Sequence, residues 1–447
     1  MSDTYDLIIK DCAVFDAGFN LKENCAVALR GNKIAALGSS ADAASWQGTE
    51  ILAASGKLLM PGFVDAHTHV NQQLLRGRTA DEFPMIWTRF LVPFESSLRE
   101  DDVTVSTQLA CLEMIKAGIT AFADAGGVHM DRAAEVTRDC GMRAAIARST
   151  MDQGANIPES MKESSDDQIR HTEDLYRAFH GSGNGRIEIW FGIRQVMTCS
   201  PGLVRKTGEK ARELKTGIHS HLCEHKDEVS FCLQHYKKRP VEFLEEMGAL
   251  GPNFIAAHAV LLSEPDISLL AKRDVKIVHC PHANLTSHGF PKTPRLMEAG
   301  LSIGLGNDGA SGTALDLFEQ ARILKKGVTA YWGIPVFDPV VLPNAVLLRM
   351  ISSGGAAAIG KGDCLGEIAA GKLADLVLID IHQPHLYPSQ KPSDTLIAGG
   401  SGRDVTDVII DGKIIMRGRE VLTLDEEKIL SDSARHMKAV AGRAKYT

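Results

Sequence analysis

Short apolar runs alternate with amphipathic stretches through the middle of the chain, from about residue 58 to residue 310. The eight runs are Leu58–Val64, Ile119–Ala123, Arg143–Ala147, Ile187–Gly192, Gly217–Leu222, Phe254–Val260, Val275–His279 and Leu301–Leu305. Apolar residues at helical spacing between the runs predict helices, among them Asp101–Lys116, Pro201–Lys215 and Glu264–Lys272. Alternating βα units indicate a parallel sheet, and eight of them predict a (β/α)8 barrel of the TIM type.

The two ends of the chain follow a different, strand-rich pattern. The predicted strands cover residues 6–10, 25–29 and 33–37 at one end, and residues 374–380 and 405–412 at the other. Each set is too short to bury a core of its own. The two ends are therefore expected to pair with each other as one small β-sandwich beside the barrel. A final stretch, from about Asp425 to Lys445, predicts an amphipathic helix.

The chain length fits this organisation. A barrel takes about 250 residues, and the 447 residues present leave room for a second, smaller module. The predicted class is α/β. The predicted division is residues 1–57 for the N-terminal part of the sandwich, 58–365 for the barrel, and 366–447 for the rest of the sandwich and the C-terminal helix.

Composition narrows the classes of function. The net charge of -7 argues against a nucleic-acid-binding surface and offers no attraction to a membrane. The acidic, polar N-terminus does not have the form of a signal peptide, and no apolar segment approaches the roughly 20 residues that span a bilayer. The nine cysteines are scattered and form no C-x-x-C pair, which favours reduced thiols and a cytoplasmic location.

Side chains that bind metals or transfer protons stand at the carboxyl ends of five of the eight predicted strands. They are His67 and His69 after the first strand, His219, His221 and Glu224 after the fifth, His258 after the sixth, His279 after the seventh, and Asn307 and Asp308 after the eighth. Any one of them could be an ordinary hydrogen-bonded residue. Because active sites of such barrels lie at this end of the strands, their combination predicts a catalytic site.

Four of these residues are candidate metal ligands. His67 and His69 are two apart on a strand, so their side chains point to the same face. With His221 and Asp308 they offer three imidazoles and a carboxylate, a suitable shell for catalytic zinc with a position left for water. One divalent ion is expected, most suitably Zn²⁺, although Fe²⁺ and Mn²⁺ accept the same donors. His219 lies two residues deeper and is interpreted as a barrel-core histidine.

The ordered motifs resemble those of the amidohydrolase superfamily. They are PGFVDAHTH at residues 61–69, H-x-x-E at 221–224, A-H at 257–258, H-C-P-x-x-N at 279–284, G-N-D-G-A-S at 306–311 and GEIAAGKLADL at 366–376. The set is most similar to the cytosine/adenosine-deaminase-like branch. That branch includes S-adenosylhomocysteine/methylthioadenosine deaminases and s-triazine hydrolases.

The resemblance implies a role for each central residue. Asp308 would bind the metal and accept a proton from the metal's water, and His258 would orient the resulting hydroxide. Glu224 would protonate a ring nitrogen and then help the amine to leave as ammonia. His279 would support Asp308 from behind, although a structural role beside Pro281 is an equal alternative.

The metal site is expected to be mononuclear. Binuclear members of the family carry a bridging lysine after strand four, and the run Ile187–Arg194 contains no lysine. Cyclic-amide hydrolases of the dihydroorotase type are therefore disfavoured.

The resemblance also suggests substrate contacts. Trp87 and Glu95 stand where nucleoside deaminases of this branch place an aromatic wall and a sugar-binding carboxylate, and Arg148 matches a substrate-binding arginine. For each residue an ordinary structural role is an open alternative. After strand four, the methylthioadenosine/S-adenosylhomocysteine deaminases generally carry a histidine in a G-P-H turn. This chain has Gly192-Ile193-Arg194-Gln195 there instead. Arg194 offers a fixed cation for a carboxylate or a carbonyl-rich ring.

Three functions follow from these observations. The favoured one is a metal-dependent aminohydrolase that deaminates an amino-substituted purine, nucleoside or pterin ring. The second is a triazine-type hydrolase that displaces chloride or an alkylamine, and the third is a catalytically silent barrel scaffold. A small heterocyclic substrate is the expected partner, a homo-oligomer is possible, and the roles of His219, His225 and Gln195 stay open.

Overall fold

The computed structural model describes residues 4–16, 19–82, 85–154, 157–309 and 314–446. Ala310 and Ser311 of the G-N-D-G-A-S motif and residues 1–3 of the first predicted domain lie outside this part of the chain. The strands are β1 (Thr4–Phe15), β2 (Leu21–Arg30), β3 (Lys33–Ser39), β4 (Gln47–Ala53), β5 (Lys57–Pro61), β6 (Phe63–His69), β7 (Ile119–Asp124), β8 (Arg143–Arg148), β9 (Ile187–Ile193), β10 (Ile218–Leu222), β11 (Phe254–His258), β12 (Lys276–His279), β13 (Ile303–Leu305), β14 (Asp308–Gly309), β15 (Leu376–Asp380), β16 (Val405–Ile410), β17 (Lys413–Arg417) and β18 (Glu420–Val421).

Helices surround these strands. The α-helices of six residues or more in the described chain are Glu100–Lys116, Met130–Cys140, Ser165–Phe179, Pro201–Glu213, Lys226–Tyr236, Pro240–Glu246, Glu264–Lys272, Thr293–Glu298, Leu317–Val328, Asn344–Arg349, Pro392–Gly399 and Glu426–Arg443. The predicted helices that start at Asp101, Pro201 and Glu264 and the C-terminal amphipathic helix are among them. Several begin with a side-chain cap, such as Ser200, whose hydroxyl accepts from the amide of Leu203.

The central sheet is parallel and closes on itself. Its strand order is β13-β12-β11-β10-β9-β8-β7-β6-β14. β13 and β14 are separated along the chain only by Gly306 and Asn307, so they are two halves of one interrupted strand. The sheet is therefore an eight-stranded barrel, and the predicted (β/α)8 class is confirmed.

The predicted first run, Leu58–Val64, is wrong in its bounds because it contains two strands. β5 pairs with β1 and β15 in the other sheet, whereas β6 is the first strand of the barrel. The change of sheet falls at Gly62, where a Cβ would lie 2.1 Å from Thr120 Oγ1. Both strands are almost fully buried, so hydrophobicity alone gives no sign of the break.

The chain ends form a separate sheet, as predicted. Its order is β18-β17-β16-β15-β5-β1-β2-β3, with β4 also paired to β1. The sheet encloses a small core of its own, to which both ends of the chain contribute; Ile9, Val27, Leu376 and Ile409 are among its members. Since neither end supplies all of this core, each end depends on the other for burial.

Apolar side chains fill the lower part of the barrel. The small residues Ala121, Ala123, Ala145 and Ala147 line the interior and leave room for the indole of Trp190. Gly217 belongs to this packing, because a Cβ there would lie 2.3 Å from a ring carbon of Trp190.

A buried ion pair joins the barrel to the second sheet. Arg143 at the start of β8 donates from Nε and Nη2 to the two carboxylate oxygens of Asp375, over 2.8 and 3.1 Å. Asp375 also accepts from the backbone amide of Asp411 at 2.8 Å. Both charged side chains are almost completely buried, so each relies on the other for its hydrogen bonds.

We expect Asp375→Asn to lower the free energy of unfolding by about 3–5 kcal/mol, since it removes the carboxylate that accepts both described hydrogen bonds of buried Arg143 and leaves only Asp411, at 3.6 Å, near this charge. Urea denaturation measures this. Asp394→Asn is the matched control, because Asp394 pairs with the exposed Lys391, and surface pairs contribute less than about 1 kcal/mol. Equal effects of the two substitutions would contradict the structural role of the buried pair.

Candidate active site and metal centre

Three histidine rings converge at the carboxyl-terminal end of the barrel. His67 and His69 come from β6 and His221 from β10, and their ligand nitrogens lie within 4.8 Å of one another. The Nε2 atoms of His69 and His221 are 3.2 Å apart. Asp308 completes the group, with Oδ1 at 3.5 Å from the Nε2 atoms of both His67 and His69. The structure thus brings together all four predicted ligands.

An irregularity in β6 aims its two histidines into the barrel. The register between β6 and β7 shifts between Asp65 and Thr68. Val64 and Ala66 belong to the apolar interior, and after the shift His67 faces the barrel centre as well, where its Nδ1 lies 2.7 Å from Nε2 of His219. His219 is indeed a core histidine, and it orients His67 so that Nε2 points toward Asp308.

The interrupted eighth strand positions Asp308. Gly306 lets this strand approach β6 closely, since a Cβ there would lie 2.6 Å from the carbonyl oxygen of His67. Asn307 is fixed by Asp65, which accepts from its backbone amide at 3.0 Å and from its side-chain amide at 2.8 Å. Asp308 itself has a φ of 62°, a conformation that is costly for a residue with a side chain.

The electrostatics of the four groups suit a divalent metal. Burial lowers the pKa of His69 and of His221 well below the usual value, and the nearby positive charges add to this effect. Burial alone would raise the pKa of Asp308, but the surrounding imidazoles, with Nε2 of His67 at 3.5 Å, outweigh it and lower this pKa. Nε2 of His67 is buried without a hydrogen-bond partner in the described chain. Neutral imidazoles and an ionised carboxylate are the forms that ligate metals, so the residues fit such an ion.

Glu224 lies beside this centre, three residues after His221. Its Oε1 is 3.7 Å from Nε2 of His258 and 3.2 Å from Nε2 of His288, and its Oε2 accepts from Nε2 of Gln195 at 3.0 Å. Burial would raise the pKa of Glu224, but His258 and His288 together hold it well below its usual range. Glu224 is therefore a carboxylate at neutral pH.

His258 ends β11 with a φ of 71°. Its Nδ1 lies 3.0 Å from the side-chain amide nitrogen of Asn284, while its Nε2 faces Glu224. Burial lowers the pKa of His258 to about 4, so the ring is neutral at physiological pH. His279 lies behind it, with Nδ1 2.9 Å from the carbonyl oxygen of His258. The described hydrogen bond of His279 is therefore with the backbone of His258 and not with Asp308.

The four predicted substrate residues divide into two groups. Glu95 and Arg194 meet in a buried pair, with Arg194 Nη2 3.1 Å from Glu95 Oε1, and Gln72 donates to the same oxygen at 2.7 Å. Arg194 is near the metal ligands, because its charge contributes to the lowered pKa of His69. Arg148 instead holds Glu163 through two hydrogen bonds and contacts Gln168.

Trp87 belongs to a small apolar cluster. Its ring packs against Val92, Met151 and Ile157. The described contacts of Trp87 and Arg148 thus match the ordinary structural alternatives, and their contact with a substrate stays a prediction.

The amidohydrolase family model matches residues 58–415, which is most of the chain. The chain belongs to the amidohydrolase family. This also confirms the resemblance found in the ordered sequence motifs. The match includes the barrel and most of the C-terminal part of the second sheet, so both regions belong to one family architecture.

Individual relatives cover almost the same length. A 5-methylthioadenosine/S-adenosylhomocysteine deaminase from Desulforudis audaxviator is 35% identical over 398 residues, 88% of this chain and 89% of its own. A zinc-bound adenosine deaminase from Xanthomonas campestris superposes with a TM-score of 0.92 at 29% identity, covering 99% of this chain and 100% of that one. A triazine hydrolase from Arthrobacter aurescens has a TM-score of 0.88 at 22% identity, over 97% and 99% of the two chains, which shows a shared fold.

Sequence reasoning missed two residues of this amidohydrolase site. Asn284 orients His258, and His288 contacts Glu224. The two are four residues apart, which places them on one side of a helical turn, and this spacing after the H-C-P motif was the available signal. Gln195, whose role the sequence left open, also contacts Glu224.

Two further observations concern the chain as a whole. Across the described residues, no helix is both long and apolar enough to cross a membrane. All nine cysteines lie in the described part of the chain, and each is a free thiol.

The buried carboxyl group of Glu228 makes the stability of the folded protein depend on pH. Its Oε2 accepts from the backbone amide of Glu224 at 3.0 Å, while Oε1 is buried with no partner among the described residues. Burial outweighs these backbone hydrogen bonds and raises the pKa of Glu228 to about 8. The folded protein therefore keeps a proton there that the unfolded chain loses near pH 4.3. The stabilisation of the folded state by protonated Glu228 is therefore fully present at low pH and is lost as the pH rises toward 8.

We expect Glu228→Gln to remove this dependence. The free energy of unfolding of the variant minus that of the wild type should grow by up to about 1.4 kcal/mol per pH unit between pH 5 and pH 7.5. Urea denaturation of both proteins at several pH values measures this difference. The other titrating groups are common to the two proteins, so their contributions cancel. A difference that stays constant with pH would show that Glu228 is already ionised in the folded protein.

Proposed function

We propose that this amidohydrolase is a hydrolytic deaminase that removes ammonia from an amino-substituted N-heterocycle of the adenine-nucleoside type. The observation that carries the proposal is the pairing of a three-histidine, one-aspartate metal site with a carboxylate, Glu224, at its edge. The names of the relatives support it, since a protein 35% identical over nearly the whole chain is called a methylthioadenosine/S-adenosylhomocysteine deaminase.

The ion would be held by His67, His69, His221 and Asp308. Zinc is the proposed metal, because the adenosine deaminase from Xanthomonas campestris binds it and because these donors suit it. Iron(II) and manganese(II) share the same donor preferences. When bound, such an ion supplies Lewis-acid chemistry that makes water a nucleophile near neutral pH.

Glu224 would transfer the proton to the substrate. Because it is a carboxylate in this structure, it must first take a proton from the attacking water and then pass it to a ring nitrogen. His258, neutral and fixed by Asn284, presents Nε2 beside the same carboxylate and would orient the water. Asp308 would then accept the remaining proton from the hydroxyl now on the ring carbon and pass it to the amine, which leaves as ammonia while the carbonyl forms.

The buried pair of Glu95 and Arg194 would form the substrate-facing wall. Both described hydrogen bonds to Glu95 are made to Oε1, which leaves Oε2 to accept from a sugar hydroxyl. Arg194 would at the same time bring a fixed positive charge close to the ring. Arg194 stands in the turn where methylthioadenosine deaminases usually have a histidine. The substituents on the substrate ring therefore have to be identified by direct measurement.

The cell compartment is proposed as the cytoplasm. The free thiols support it, since cysteines that stay reduced are typical of that compartment.

The first test is ammonia release by the zinc-loaded protein across aminopurines, adenine nucleosides, pterins, cytosines and aminotriazines. We expect turnover with at least one 6-aminopurine nucleoside. Chloride or alkylamine release from triazines, with no ammonia from any aminopurine, would transfer the assignment to the triazine-hydrolase alternative. Silence on both panels from protein with one metal per chain would contradict the deaminase proposal.

A substitution tests the proton-transfer residue. We expect Glu224→Gln to lower kcat by about 10²–10⁴-fold, because the amide cannot accept and pass on the proton. Metal content should stay at the wild-type level, since Glu224 is not among the four ligands. Glu245→Gln is the control, because Glu245 pairs with Arg273 away from the site. Wild-type turnover by Glu224→Gln would eliminate the acid role of this residue.

A further inference from the structure

Both oxygens of the Glu224 carboxylate are held by side chains from different parts of the barrel rim. Gln195, just after β9, donates from Nε2 to Oε2 at 3.0 Å. His288 lies on a one-turn helix after β12, with Nε2 3.2 Å from Oε1. Two donors on opposite oxygens fix both the position and the plane of a carboxylate. A residue that moves a proton to a flat ring depends on that plane.

The helical turn that carries His288 also carries the group that orients His258. The turn spans Asn284–His288 and has π-type geometry, which is frequent at functional sites. At its start, Asn284 accepts from the amide of Cys280 at 3.0 Å and contacts Nδ1 of His258 at 3.0 Å. At its end, His288 contacts Glu224. One rigid turn therefore sets the relative position of both groups at the edge of the metal site.

The electrostatics of the pair favour a strong contact. Partial burial would lower the pKa of His288, but the hydrogen bond and negative charge of Glu224 outweigh it and raise this pKa. The Glu224 side chain is 14% exposed and that of His288 is 20% exposed, so the interaction is largely shielded from water. The neighbouring His225 differs, because its described carboxylate contact is with the exposed Asp227 at 3.9 Å.

We propose that His288 is a positioning residue for deamination, which holds the Glu224 carboxylate in the plane from which it transfers a proton to the substrate ring. The inference rests on the proposed function, since it assumes that Glu224 moves that proton. His288 acts through Glu224 and need not touch the substrate. It shares this task with Gln195, which donates to the other oxygen of Glu224.

Kinetics of the metal-loaded full chain test the proposal. We expect His288→Ala to lower kcat by about 10–100-fold, as is usual when a group that orients a reacting residue is lost, with KM changed by less than about threefold. His288→Gln should recover most of kcat, because its Nε2 can occupy the position of the imidazole Nε2. His235→Ala is the control and should retain wild-type kinetics, because its exposed ring packs on Phe231 and has no described contact with Glu224 or His288. A wild-type kcat in His288→Ala, with Glu224→Gln inactive, would overturn the positioning role and leave the deaminase function standing.

A spectroscopic measurement keeps the test independent of turnover. In protein with ¹⁵N-labelled imidazoles, the signals lost in His288→Gln identify His288. We expect the His288 ring to titrate at a higher pH in the wild type than in Glu224→Gln, because the carboxylate raises its pKa, with no change in Glu245→Gln. Identical His288 signals in the wild type and Glu224→Gln would overturn the contact itself. If no panel substrate releases ammonia, the deaminase proposal fails, and the spectra alone decide whether His288 holds Glu224.

Discussion

The structure depends on how four largely buried polar side chains at the top of the barrel are satisfied. His67, His69 and His221 direct nitrogens toward the same small volume as an Asp308 oxygen. Buried polar atoms without a partner raise the free energy of the folded state, because they have lost their hydrogen bonds to water and have gained none in return. The divalent ion that we propose would satisfy all of them at once, and the free energy of its binding would then also stabilise this part of the fold.

The fold provides this arrangement through specific departures from regular geometry. A register shift in β6 re-aims His67, an interruption at Gly306 and Asn307 splits the eighth strand, and Asp308 and His258 take positive φ values. Each departure is costly locally and is held by packing or hydrogen bonds around it, as Asp65 holds Asn307. The apolar filling of the lower barrel supplies the rigid floor on which these polar groups stand.

Periodicity and motif order were sufficient to predict the barrel, the shared sheet of the chain ends and the proximity of His67, His69, His221 and Asp308. These signals are not sufficient where two different structures have the same pattern of apolar and polar residues. The run Leu58–Val64 is uniformly apolar although it crosses from one sheet to another at Gly62. Arg148 ends a barrel strand, where the sequence pattern does not distinguish a substrate contact from the ion pair with Glu163 that the structure contains. His288 was invisible to strand-end reasoning because a short helical turn, and not a strand, brings it to Glu224.

The central claim is that His67, His69, His221 and Asp308 hold one divalent ion. An anomalous difference map of zinc-loaded crystals, recorded on both sides of the zinc absorption edge, tests it most directly. The account predicts one peak per chain, about 2.0–2.2 Å from the three Nε2 atoms and from Asp308 Oδ1. A protein that retains no metal, or a peak that contacts other residues, would contradict it.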